Sequence, residues 1–240
     1  MDCIRTVGDL VDATREAVSD DLLWWRGQPA GNNLLPRVYR DRATHRMEWL
    51  RTCEFVQKAE TRHWRVPSQD DYPRWLFLMQ HYGLPTRLLD WSESPLVACY
   101  FALQEEDTDG CLWALSPGYL NTCYQGEPDP VPPSSIKVYF QAPFLREPLE
   151  LPYIIAIQTT EIDLRMTQQQ SVFTIHGTAT ALDDLRETER KGFLRSWLIP
   201  AKSKPALRKE LSWLGIRKAT LFPDLDNLAK DLCQRVSIVT

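Results

Sequence analysis

Residues 80–104, QHYGLPTRLLDWSESPLVACYFALQ, decide the fold. Gln80-His81-Tyr82 close a helix that begins near Tyr72, with Pro73 in its first turn. Gly83-Leu84-Pro85 force a turn, because glycine accepts a positive φ and proline fixes its own. Thr86–Trp91 then reads as a short strand. Side chains alternate along a strand, so Thr86, Leu88 and Asp90 share one face while Arg87, Leu89 and Trp91 share the other. Leucine occurs on both faces, so both are partly buried and the charge on each needs a partner. Ser92 or Ser94 can cap the helix that follows, Pro95–Gln104, whose inner face is Leu96, Val97, Tyr100 and Phe101. Polar groups at a junction of this kind line a cleft more often than they fill a core. One alternative stays open: Arg87 and Asp90 as a structural ion pair, Trp91 as core and His81 as a helix-end cap.

Outward from this segment the chain reads as helices first and then strands with short helices between them. Upstream, the spacing predicts a helix over Asp9–Ser19, a buried strand from Leu22 to Gly27, an extended stretch from Leu34 to Tyr39, and a long helix over Arg42–Trp64 stopped by Pro67. Downstream it predicts a strand over Gly110–Leu115, a loop over Ser116–Ser135, and strands at Ser135–Gln141, Tyr153–Thr159, Val172–Ile175 and Trp197–Pro200. Helices are expected over Thr180–Lys191, Lys204–Leu214 and Asp224–Val236. No internal repeat or low-complexity tract is visible. The order points to one α+β domain rather than a doubly wound parallel sheet.

Composition narrows the function classes. The chain has 240 residues, 43% of them hydrophobic, which is enough for one sizeable core. Against 28 basic residues stand 32 acidic ones, a net charge of −4 that gives no global attraction to nucleic acid. No apolar run approaches the ~20 residues of a membrane helix. The N-terminus lacks the basic-then-apolar order of a signal peptide, so the protein reads as cytoplasmic and not membrane-bound. Its six cysteines form no CxxC and sit beside no histidine at ligand spacing, so no metal site is expected. Walker, GxGxxG, HExxH and GxSxG motifs are absent.

Two further segments carry polar groups at the edge of apolar runs. In Trp25-Arg26-Gly27-Gln28, an arginine ends an aromatic strand. It is either paired with an internal carboxylate or waiting for a ligand anion, and Gly27 would let that ligand approach the backbone. Arg165–Thr174 places Gln168-Gln169-Gln170 just before a strand, as a solvated loop or as part of a site. Trp25-Arg26, Thr86–Trp91 and Gln170–Thr174 are expected to converge on one cleft.

Together these residues resemble the FRG domain family, named for an aromatic-Arg-Gly motif that is here Trp25-Arg26-Gly27. The likeness runs through Gln80–Trp91 to Ala102, then Gln170 with Phe173-Thr174, and Leu221-Phe222-Pro223-Asp224-Leu225-Asp226. It implies a single FRG domain over residues 1–240, with a core at 20–236. A second likeness is to ADP-ribosyltransferases, which use an Arg or His ending a first strand, a polar strand followed by a helix, and a Glu or a substitute before a third strand. It implies a mixed, split β-sheet around a central cleft with flanking helices, and NAD as substrate without a metal. Arg26, Asp90 and Gln170 then take catalytic positions, and Arg26, Gly27, Gln28, His81, Tyr82, Thr86 and Trp91 bind the dinucleotide. Arginine suits the pyrophosphate, and Tyr82 or Trp91 suits stacking on nicotinamide. The implied activity is that of an effector or toxin in antiviral defence, transferring ADP-ribose to a protein or nucleic acid acceptor, with an antitoxin or regulatory partner left open. NAD hydrolysis in the same cleft and a non-catalytic recognition module are the alternatives.

Overall fold

The computed structural model describes residues 3–17, 22–63, 65–126, 128–147, 149–185 and 192–236. Six segments of β-branched, leucine-rich and aromatic sequence pair as one sheet: β1 (Trp24–Pro29), β2 (Leu88–Ser92), β3 (Gly110–Leu115), β4 (Ile154–Ile157), β5 (Ser171–His176) and β6 (Leu194–Ile199). Their order is β4-β5-β2-β1-β3-β6. The expected mixed sheet is therefore corrected. Every ladder between these strands is antiparallel, and among the described residues parallel pairing is confined to isolated bridges at Cys3–Leu198 and Val131–Ile157.

The ladders are uneven, and that unevenness places the site. β1 runs along β3 from Trp24↔Leu115 to Pro29↔Gly110, and β2 runs along β5 from Leu88↔Ile175 to Ser92↔Ser171. Between β1 and β2 the only matched pair is Trp25↔Ser92. Two three-stranded blocks thus meet at one point and diverge beyond it. From Arg26 onward the edge of β1 on this side has no strand partner, and its groups must be satisfied by side chains or ligand.

Helices cover the sheet. Helix α1 (Val7–Ala17) and α5 (Pro95–Ala102) pack with Trp25, Leu112 and Trp197 in one core. Helix α4 (Tyr72–His81) places Trp75, Phe77 and Met79 against Leu88, Phe173 and Ile175 in a second. A third holds Trp24, Leu89, Trp91 and Ile154, so adjacent β-residues feed different cores, as pleating requires. Helix α5 lies very close to β1 and β3. A Cβ on Gly27 would stand 1.8 Å from the Ala98 carbonyl oxygen, and one on Gly110 would stand 2.5 Å from that of Ala102. The missing side chain of Gly27 makes room for a helix, not for a ligand as expected.

Several elements depart from the sequence reading. The long helix breaks at Met47 (φ −94°, ψ 5°) into α2 (Arg42–Arg46) and α3 (Glu48–Ala59). The expected loop after β3 contains α6 (Pro117–Gln125), started by Ser116, whose hydroxyl accepts from Tyr119 N–H, and ended by left-handed Gly126. The expected strand Ser135–Gln141 is a 3-10 turn at Pro133–Ile136 followed by α7 (Lys137–Gln141). Its alternation serves a short half-buried helix instead. The polar run before β5 is helical as well: α8 (Leu164–Gln169) is capped by Asp163. The chain closes with α9 (Lys204–Trp213), α10 (Lys218–Leu221) and α11 (Leu225–Val236). Trp64, Ser19 and residues 186–191 of the expected helix Thr180–Lys191 lie outside the described residues. Among the described residues, no helix is long and apolar enough to cross a membrane.

Candidate functional site

A cavity of about 580 Å³ opens where β1 and β2 diverge, a size suited to a nucleotide-sized ligand. Its floor comes from β1 and β2, one wall from the end of α4 and the turn after it, another from α8, and its rim from the segment after β1. Arg26, Arg37, Arg40 and Arg165 line it, with Asp90 and Glu105 as the carboxylates. A protein of net charge −4 therefore concentrates positive charge here.

Arg26 is 16% exposed and is held by neutral acceptors. Its Nε donates to Gln28 Oε1 at 3.0 Å, and its Nη1 donates to the Asp90 carbonyl at 2.6 Å, bridging the seam that the strands leave open. Gln28 is in turn fixed by donating to the Asn32 carbonyl at 2.5 Å. The Asp90 carboxylate lies 3.9 Å from Arg26 Nη1, beyond hydrogen-bond reach. Burial lowers the Arg26 pKa to about 10, opposed next by the pull of Asp90 and reinforced more weakly by the like charge of Arg40. Arg40 is lowered too, by burial and by Arg37. Four guanidiniums thus face two carboxylates across the cavity.

The Asp90 side chain is 56% exposed and is oriented by Gln80, whose Nε2 donates to Oδ2 at 2.7 Å. Thr86 orients Gln80 in its turn by donating its hydroxyl to Oε1 at 2.6 Å. This relay gives Thr86 its place: it is buried and does not border the cavity. Tyr82, 58% exposed, stands at the rim with its ring edge-on to His81. His81 lines the cavity while its Nδ1 contacts Asp163 Oδ2 at 2.7 Å.

Arg26, Gly27, Gln28, His81, Tyr82, Asp90 and Trp91 border one cavity, and Ser171 brings β5 to it. Trp91 borders it without a free ring face. The residue is 3% exposed in the third core, and Nε1 donates to Thr174 Oγ1 at 3.2 Å. Gln170 is not brought in. It is exposed, adopts a left-handed backbone (φ 46°) as the C-terminal cap of α8, and accepts from Glu93 N–H through its carbonyl. Gln169 lines the cavity in its place. Arg37, Arg40 and Gln80 were missed as site residues. Gln80 opens the densest polar segment of the chain, a signal that was present. Arg37 and Arg40 reach the cavity through a 3-10 turn at Arg37–Tyr39 that no spacing announces.

Arg87 plays another part. It is 1% exposed, bonds both carboxylate oxygens of Glu48 and donates to the Leu149 carbonyl at 2.7 Å. It pairs with Glu48, not Asp90. Among the described residues, no group of three or more His, Cys, Asp or Glu is placed to hold a metal ion.

Compared with known families, residues 21–110 match the model of the FRG domain. The match takes in the aromatic-Arg-Gly motif, α4, β2 and α5, and ends at the first residue of β3. The sheet interlaces β1 and β2 with β3 and β5, so the matched residues share one sheet with strands that follow them. No curated protein and no solved structure matches the chain.

Proposed function

We propose that the cavity binds NAD and that the protein is an ADP-ribosyltransferase-like effector passing ADP-ribose to a macromolecular acceptor. The observation that carries this reading is the arginine group around an oriented carboxylate. A pyrophosphate supplies the negative charge that Arg26, Arg37, Arg40 and Arg165 lack, and guanidiniums bind it in bidentate fashion. Tyr82 supplies an aromatic face at the rim for a flat ring. Asp90 supplies negative charge for the ribose as its bond to nicotinamide breaks and an oxocarbenium-like centre develops, the service carboxylates give in glycoside cleavage. Gln80 and Thr86 hold that carboxylate in place beforehand.

A binding-only recognition module is the second reading, favoured by one observation: the Gln80 amide already occupies one oxygen of Asp90. Titration calorimetry with NAD, followed by transfer of labelled ADP-ribose in cell extract, tests both. Binding with Asp90-dependent loss of nicotinamide supports the enzyme, and label on macromolecules separates transfer from hydrolysis. Binding without turnover selects the module. Wild-type protein that does not bind NAD sinks the proposal.

A further inference from the structure

The wall formed by the end of α4 carries an arrangement that the chemistry above does not use. His81 is the last residue of α4, and its ring is 19% exposed at the cavity. Asp163 reaches it from a different element. One carboxylate oxygen caps α8 by accepting Met166 N–H at 2.9 Å, and the other lies 2.7 Å from His81 Nδ1. Arg165 ties the same two elements together by donating to the His81 carbonyl at 3.3 Å. Burial raises the Asp163 pKa, but the hydrogen bonds from His81 and Met166 outweigh it and leave the group below its ordinary value.

The 2.7 Å contact sets the Asp163 carboxylate against Nδ1, which favours a proton on that nitrogen. A neutral His81 therefore carries its hydrogen on Nδ1 and keeps the lone pair on Nε2. Among the described residues, Nε2 has no hydrogen-bond partner. A histidine held at Nδ1 by a carboxylate, on a residue that lines a ligand cavity, meets the geometric requirement for a general base.

We propose that His81 is the general base of this cavity, taking at Nε2 the proton of the attacking hydroxyl, with Asp163 as its positioning residue. The inference rests on the NAD reading. In the step, the hydroxyl oxygen bonds to the anomeric carbon of the nicotinamide ribose while the carbon–nitrogen bond breaks. The bonding pair stays on the ring nitrogen, so nicotinamide leaves neutral. The hydroxyl proton passes to His81 Nε2, and the Asp163 carboxylate faces the imidazolium that results. Asp90 remains on the ribose side. Two negative groups thus serve two different positive charges.

The test uses a readout that a structural histidine would not move. Protein labelled with 15N at histidine is compared by long-range 1H–15N spectra, with His81 assigned from the His81→Gln variant. The expected wild-type state is Nδ1–H. In Asp163→Asn the amide oxygen can still cap α8, since Asn and Asp cap comparably. The amide nitrogen then donates to Nδ1 and moves the hydrogen to Nε2, with the melting midpoint little changed. NAD consumption falls by about 10²–10⁴-fold in both variants, the range of a lost general base, while NAD affinity holds in Asp163→Asn. An Nε2–H wild-type tautomer, or undiminished turnover by His81→Gln, overturns the base and leaves the NAD reading standing. Wild-type protein that neither binds nor consumes NAD removes the reading and the step together.

Discussion

Arg87 and Arg26 are both withdrawn from water on neighbouring strands, and their surroundings differ in kind. Arg87, at the entrance to β2, has a bidentate carboxylate partner in Glu48, a carbonyl at 2.7 Å and the ring of Tyr39 at 5.8 Å. Arg26, on β1, has an amide oxygen and a carbonyl, while its nearest carboxylate stands at 3.9 Å. One guanidinium is neutralised by the fold. The other is hydrogen-bonded to neutral groups with a carboxylate only at 3.9 Å, and burial, only partly offset by Asp90, lowers its pKa. Hydrogen bonds satisfy geometry without cancelling charge, so the two arginines differ in how far the fold itself balances them.

The largest effect follows from removing Arg87. Arg87→Ala strands the Glu48 carboxylate in the core and should cost ~3–5 kcal/mol in denaturant unfolding. A paired Arg87→Met, Glu48→Leu variant should recover much of that, because an apolar pair removes both desolvation costs. Arg26→Ala breaks no neutralised pair. It should cost ~1–3 kcal/mol for its two hydrogen bonds, less than Arg87→Ala, while weakening NAD binding by about 10–100-fold. Equal unfolding losses for Arg26→Ala and Arg87→Ala would break the comparison.

A third buried base sharpens it. His176 is fully buried on β5, with Nε2 3.2 Å from Thr174 Oγ1, which in turn accepts from Trp91 Nε1. Burial first, opposed by a hydrogen bond to the backbone of Thr180 and reinforced by the charge of Arg26, drives the His176 pKa down to about 3. The fold keeps Arg87 by pairing it, keeps Arg26 charged, and keeps His176 neutral. The folded pKa lies below the unfolded value near 6.5, so the unfolded chain binds the proton first as pH falls. Stability from this group is present above pH ~6.5 and declines below it by up to about 1.4 kcal/mol per pH unit. Unfolding free energies at pH 7, 6 and 5 measure that slope before most carboxylates titrate, and His176→Gln should flatten it. An equal slope in both proteins would mean that His176 is not held neutral.

Asp90→Asn is smaller in stability and specific in function. Asparagine can still accept from Gln80, so unfolding should shift by less than ~0.5 kcal/mol, as for most surface substitutions, while nicotinamide release is lost. A destabilised Asp90→Asn protein would make Asp90 part of the scaffold, as Glu48 is.

The parts of this picture that were legible depend on short-range rules. Gly83 has φ +79° as the Gly-Leu-Pro turn demands, Ser94 caps α5 by accepting from Val97 N–H, and Gly110–Leu115 is a strand with the expected ends. Alternation in β2 separates Asp90 at the cavity from Trp91 in the core. What was not legible depends on partners remote in sequence. Nothing near Arg87 announces Glu48, nothing near His81 announces Asp163, and the closeness that Gly27 permits is to Ala98 of α5. Short helices such as α7 and α8 were hidden because five or six residues cannot display a helical period against an alternating pattern.

The smallest predicted effect concerns Gln170, where a local rule and a likeness of position give opposite answers. Its place before a third strand suits a catalytic residue. Its backbone, at φ 46° and ψ 53°, is that of a left-handed helix cap, where a residue with a Cβ is strained by ~1 kcal/mol and glycine is not. Glycine gives back part of that relief through the greater entropy of the unfolded chain. Gln170→Gly should therefore stabilise by about 0.5 kcal/mol, or ~1–2 °C in melting midpoint for a chain of this size. Turnover of NAD should persist, because the side chain is exposed and it is Gln169 that borders the cavity, with its Nε2 held by the Leu221 carbonyl at 3.0 Å. Gln169→Ala provides the contrast, since it should disturb the cavity wall and lower NAD affinity. A Gln170→Gly protein that melts higher and no longer consumes NAD would restore Gln170 to the site, because the backbone would then be improved and only the side chain would have been lost.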